Sequence, residues 1–142
     1  MNDNPYYQEL TDFRRTLQDW FSGATPAADE DEVFARVLQI SPDDAVYVRQ
    51  DGRLFQGTRE YLNSFRDAHG DIPGLKMWVE DFRLHWESDD LALVTFEEWG
   101  QVGDSEPGGL LSTVVFRKNR DTPFGVEWLH YHETALPENE ES

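Results

Sequence analysis

His130 and His132 stand two residues apart in a stretch rich in β-branched and aromatic residues. On a strand, residues i and i+2 project to one side, so the two imidazoles share a face, as two metal ligands or an acid/base pair would require. Zinc or iron needs at least a third ligand, and His69 and His85 have no spacing that supplies one, so no metal or cofactor is expected. The alternative for both residues is a structural, hydrogen-bonded imidazole at the sheet core or at a dimer face. Glu97-Glu98 raises a similar choice, because alternation sends the two carboxylates to opposite faces and one of them inward. A carboxylate in a dry pocket has a raised pKa and can serve as a general base. The competing role is an ion pair with Arg83 or Arg117. His130, His132 and Glu97 are the candidate catalytic residues.

The chain holds 5 Trp, 5 Tyr and 9 Phe, so most aromatic rings must be packing material. Tyr47, Trp78, Trp86, Trp99 and Trp128 are the candidate ligand-binding residues, an aromatic wall suited to a flat apolar ligand. Gly-rich phosphate loops, nucleophile elbows and paired-cysteine motifs are not found in the sequence.

Helical spacing of Tyr6, Leu10, Phe13, Leu17, Trp20 and Phe21 predicts an amphipathic helix, with Glu9, Arg14, Arg15, Gln18 and Asp19 between the apolar residues and Ser22-Gly23 as its stop. A second helix is expected after Thr25-Pro26, its acidic run Asp29 to Glu32 favoured by the positive end of the helix dipole, with Val33, Phe34, Val37 and Leu38 as its buried stripe. Asp51-Gly52 predicts a tight hairpin between Ala45–Gln50 and Arg53–Gln56. A third helix is expected after Gly57-Thr58, burying Tyr61, Leu62, Phe65 and Ala68. Four strands follow, at about Leu75–Glu87, Leu91–Val102, Gly109–Lys118 and Val126–Ala135. In the first of them Trp78, Phe82, Leu84 and Trp86 are expected to share a face. Helices on one face of an antiparallel sheet give an α+β domain. It spans residues 1–136, and residues 137–142 form an acidic tail expected to be disordered.

At 142 residues the chain fits a single domain able to bury about two-thirds of its unfolded surface. Its net charge of −17 argues against nucleic acid or anionic lipid as partner. A solvated acidic surface is favoured over a cationic partner, and the scarcity of lysine beside arginine suggests a salt-loving source. With no cysteine, no membrane-length apolar run and no signal-like start, a cytoplasmic location is expected.

The element order and three motifs resemble the nuclear transport factor two-like superfamily, and within it the SnoaL-like group, over nearly the whole chain. The motifs are Asp51-Gly52-Arg53-Leu54-Phe55-Gln56-Gly57 entering a helix, Val79-Glu80-Asp81-Phe82-Arg83-Leu84 before Asp90-Leu91-Ala92, and Gly125-Val126-Glu127-Trp128-Leu129-His130-Tyr131-His132-Glu133-Thr134. The last also resembles the association domain of calcium/calmodulin-dependent kinase II. Two positions depart from the pattern: Val126 replaces a usual tryptophan, and Thr113 or a neighbour stands where an arginine is common, which weakens any carry-over of an anion pocket. The resemblance implies a cone-shaped, cystatin-like fold with about six bent antiparallel strands and three helices, and a homodimer formed through the sheet. It implies a small-molecule-binding or assembly domain, with a small apolar ligand and no evident catalysis. The alternative is a cofactor-independent isomerase, cyclase or dehydratase using a pocket His or Glu.

Overall fold

The computed structural model describes residues 4–57, 60, 63 and 66–137. Helix α1 spans Pro5–Ser22, and both ends follow from the sequence. The Asn4 side chain accepts the Tyr6 and Tyr7 amides at 2.8 and 3.1 Å, with Pro5 at the first helical position. Gly23 takes the left-handed conformation (φ 86°) that closes the helix, its N–H returning to the Trp20 carbonyl. One face of α1 buries Tyr6, Leu10, Phe13, Leu17 and Trp20, each contributing about 1.5–3 kcal/mol by leaving water. After a 3₁₀ turn at Ala27–Asp29, α2 runs Glu30–Ile40 and buries Val33, Phe34, Val37 and Ile40. Leu38, expected in that stripe, is half exposed.

Strands β1 (Val46–Val48) and β2 (Leu54–Gln56) form the hairpin at Asp51-Gly52. Strands β3 (Leu75–Glu87), β4 (Leu91–Val102), β5 (Gly108–Lys118) and β6 (Val126–Ala135) form the antiparallel meander. All six make one sheet in the order β2-β1-β6-β5-β4-β3, with β1 joining β6 in parallel. The expected third helix falls where Thr58, Arg59, Tyr61, Leu62, Ser64 and Phe65 lie outside the described residues; Glu60, Asn63 and Arg66 have helical backbone. Of the acidic tail, residues 138–142 lie outside as well.

Alternation divides the sheet into an inner face under the helices and an outer face. Ala92, Val94, Phe96 and Glu98 of β4 and Ser112, Val114 and Phe116 of β5 are buried inward. Leu93, Thr95, Glu97, Thr113 and Val115 point outward and are partly exposed. Two register shifts interrupt β3, between Glu80 and Arg83 and between Leu84 and Trp86. They divide the four β3 residues expected on one face. Trp78 and Trp86 pair with the outward Trp99 and Leu93, whereas Leu84 pairs with the inward Val94 and Phe82 packs on the core. The first shift contains Asp81 at φ 52°, a bulge that lets a 13-residue strand bend around the helices.

Candidate functional site

A polar cluster lies inside the apolar interior, assembled from α1 and strands β4, β5 and β6. Arg14 stands on the buried stripe of α1, between Leu10 and Leu17, and its Nη1 donates to Glu98 Oε2 of β4 at 2.9 Å. The two side chains are 4% and 9% exposed. Arg14 Nη2 donates to the Tyr131 hydroxyl at 3.0 Å. That hydroxyl in turn donates to Glu98 Oε1, which also accepts from Ser112 at 3.4 Å. Each buried charge is thus met by an opposite charge and by hydrogen bonds, without which burial would cost several kcal/mol per ion. Glu133, two residues beyond Tyr131 on β6, continues the inner face. Burial pushes its pKa up, and the nearby Glu98 charge adds to this, while Arg14, Tyr131 and Arg49 act in the opposite direction. The cluster therefore combines a fixed cation, a hydroxyl and a carboxyl group that holds its proton to higher pH than an exposed glutamate.

A groove of about 340 Å³ between α1 and β3 reaches this cluster, lined by Tyr7, Thr11, Arg14, Arg15, Gln18, Met77, Trp78 and Val79. Gln18 Oε1 accepts the Met77 amide at 2.7 Å and ties the two walls together. A second buried carboxylate, Glu9, lies further along α1, accepting from Arg36 at 3.1 Å and from Trp128 Nε1 at 2.9 Å. Burial raises its pKa against the lowering effect of Arg36. Its oxygens are taken up by these partners, and it reads as a structural tie between α1, α2 and β6.

The residues picked out from sequence fall on both sides of the sheet. Trp128 is in the core, its ring 5.0 Å from Phe13 and 5.2 Å from Phe116. Tyr47 is buried on the same side, its hydroxyl 3.4 Å from the Trp128 carbonyl, and burial pushes its pKa up to about 12. Trp78, Trp86 and Trp99 stand on the outer face, so the five aromatics do not form one wall. Glu97 is also outward, accepting from Trp99 Nε1 at 3.0 Å, and the inward carboxylate of the pair is Glu98, held by Arg14 rather than Arg83 or Arg117. His130 and His132 do share a face, with ring centroids 6.3 Å apart, but it is the outer one: His130 pairs with Val46 and Val115, and His132 with Val48 and Thr113. Among the described residues no group of three or more His, Asp or Glu could hold a metal ion, and no helix is long and apolar enough to cross a membrane.

Arg14, Ser112, Tyr131 and Glu133 were not singled out from sequence. The available signal was the helical spacing itself, since Glu9 and Arg14 are charged residues on the apolar stripe rather than between its members.

Comparison with known proteins agrees with this layout. The family model described as sucrose-6-phosphate phosphohydrolase C-terminal matches residues 7–137. Sucrose-phosphatase 2 of Nicotiana tabacum is 28% identical over 80 residues, 55% of this chain, and the match spans 19% of the tobacco protein's length, about a fifth of it. A nuclear transport factor two-like protein of unknown function from Pseudomonas aeruginosa superposes with TM-score 0.79 at 23% identity, covering 94% of this chain and 100% of the other. A calcium/calmodulin-dependent protein kinase type II association domain from Thiobacillus denitrificans gives 0.60 at 21% identity, covering 84% and 91%. The fold is that of the nuclear transport factor two-like superfamily, and by the match over residues 7–137 the chain belongs to the sucrose-6-phosphate phosphohydrolase C-terminal family.

Proposed function

We propose that this chain is a non-catalytic assembly and ligand-binding domain: two copies meet through the outer face of the sheet, and the groove at Arg14 takes a small molecule. One observation carries the reading. Val46 and Val48 of β1, Leu93 of β4 and Leu111 and Val115 of β5 face outward, with His130 and His132 of β6 set between the β1 and β5 residues, and no described helix covers them. Leu111 is 37% and Trp86 52% exposed, in a chain whose charge of −17 would otherwise favour a fully polar surface. A stable dimer needs about 800 Å² per partner, which a six-stranded face can supply. The kinase-type relative is named an association domain, and a domain carried on a longer phosphatase, as in the tobacco relative, suits such a role. The absence of cysteine fits a cytoplasmic setting.

Sedimentation at micromolar concentration tests it. The expected result is a dimer that Val115→Glu converts to a folded monomer, and a wild-type monomer would overturn the assembly reading.

A second reading, proton transfer on a bound ligand, is favoured by the raised pKa of Glu133 beside Tyr131. It requires Glu133 to titrate well above an ordinary glutamate, about 4.3. Carbon NMR of the side-chain carboxyls decides this, and a titration in the ordinary range would exclude Glu133 as the proton carrier.

A further inference from the structure

On the outer face, at the sheet's edge strand, Trp78 of β3 lies directly across from Trp99 of β4. Their rings are 6.4 Å apart and within 13° of parallel. The platform has a built footing. Gly109 is the register partner of Trp99 on the other side, and a Cβ there would come within 2.8 Å of the Trp99 ring and 2.7 Å of Leu136. Only glycine lets the indole lie down over β5.

The same strands place Glu80 directly across from Glu97. Each carboxylate is fixed by the neighbouring indole: Trp78 Nε1 donates to Glu80 at 2.7 Å and Trp99 Nε1 to Glu97 at 3.0 Å. Like charges facing each other across a strand pair are destabilising. Elsewhere in the described structure Arg14, Arg36 and Arg117 are set against the buried or clustered carboxylates. Among the described residues, no ion pair within 4 Å involves Glu80, Glu97 or Lys76, the cation two residues before Trp78 on the same face. The surface therefore offers two aromatic faces and two oriented, uncompensated carboxylates side by side.

We propose that Trp78 and Trp99, with Glu80 and Glu97, form a docking site for an arginine side chain presented by a partner protein. A guanidinium is planar and weakly hydrated. It stacks on an indole while its N–H fork meets a carboxylate edge-on, and both demands are met here at once. An ammonium can sit over one indole face as a point charge, but it has no plane to stack and no fork to set edge-on to a carboxylate. The partner is a polypeptide because the rings stand on the sheet surface. A free cation would leave most of its own surface in water there, whereas an arginine on a folded or extended partner brings neighbouring contacts and a scaffold. The edge strand β3 adjoins the platform and can accept the partner's backbone. The net charge of −17 steers a basic segment toward the chain. The site shares Trp78 with the rim of the groove at Arg14 and adjoins the proposed dimer face, where Leu111 is the register partner of Glu97; sedimentation judges the dimer reading on its own.

The probe is a blocked tripeptide with a central arginine, titrated into the full chain while the indole N–H signals of the five tryptophans are followed by NMR. The expected result is a saturable shift of the Trp78 and Trp99 signals, absent with the citrulline peptide, which keeps the shape and loses the charge. The double substitution E80Q/E97Q, isosteric and on the surface, should weaken binding about tenfold or more. Trp99→Leu should do the same while leaving Glu80 in place. Equal shifts with arginine and citrulline, or undiminished binding by E80Q/E97Q, would overturn the proposal. It would also fall if Trp78 and Trp99 change with protein concentration and not with peptide, because the platform would then be part of the seam between two copies.

Discussion

Arg14 and Glu98, 84 residues apart in sequence, meet at 2.9 Å in the interior, and the Tyr131 hydroxyl touches both. Their contact fastens α1 to the centre of the sheet at a point surrounded by apolar side chains. Such a pair gives a fold little net stability over a well-packed apolar replacement, but half of it is a liability.

Arg14→Met should therefore destabilise the domain by about 3–5 kcal/mol, because it leaves the Glu98 carboxylate buried without its cation. The double variant R14M/E98M should cost less than the sum of the single changes. Urea unfolding of the four proteins in the cycle measures the difference, and additivity would mean that the two side chains do not act as a unit.

Tyr131→Phe removes one hydroxyl and no apolar surface. It leaves Arg14 and Glu98 each short of a partner, with an expected loss of about 1–3 kcal/mol in the same assay.

Stability should respond to pH through Glu133. Its pKa is raised in the fold by burial and by the Glu98 charge, so the folded state holds the proton more tightly than the unfolded chain. The contribution is fully present below the unfolded value, about 4.3, and is lost as pH rises through the higher folded value. Asp44 and Glu87 behave oppositely, held low by the hydrogen bonds from Arg117 and Tyr6 respectively, and their contributions fade as pH falls. Glu133→Gln isolates the first effect. The wild-type minus variant stability should decline across the window that starts near 4.3 and ends at the raised pKa. A flat difference would place the proton elsewhere.

Gly109→Ala tests the footing of Trp99. The added methyl meets the indole at 2.8 Å, and the displacement should cost about 1–3 kcal/mol and shift the Trp99 emission toward that of exposed indole. The variant's crystal structure should show the ring lifted from β5.

Salt should stabilise the chain. With 29 acidic against 12 basic residues, screening of self-repulsion should raise the melting temperature from low salt to about 1 M, where the Debye length falls to about 3 Å. A melting temperature that falls over this range would show that the ion pairs, rather than the excess charge, dominate.

The strands of the meander and the Asp51-Gly52 hairpin were legible because alternation and turn residues are local properties. The outward placement of His130, His132 and Glu97 was not. Alternation tells which residues share a face but is silent on which face the helices cover, and that depends on contacts such as Leu10 and Phe13 of α1 against the sheet. Glu98 and Glu97 are equivalent in sequence until Arg14 chooses between them. The split of Trp78 and Trp86 from Leu84 was hidden for a different reason: two register shifts in β3 break the period of two that the expectation assumed. Arg14 itself was overlooked because a charge on an amphipathic helix is ordinarily assigned to the wet side.

The strand order has a consequence for how the molecule comes together. In sequence β6 is the last strand, yet in the sheet it lies between β1 and β5. The hairpin of β1 and β2 is made early and has no seat until Val126–Ala135 arrives beside it. Completion of the sheet is thus a late, long-range event, joining residues 46–48 to 130–132, and loops of that length close slowly. A nascent chain arrested before Trp128 would lack both the seat for the hairpin and the indole that anchors Glu9. It would expose the Tyr47 and Phe55 rings for as long as the arrest lasts.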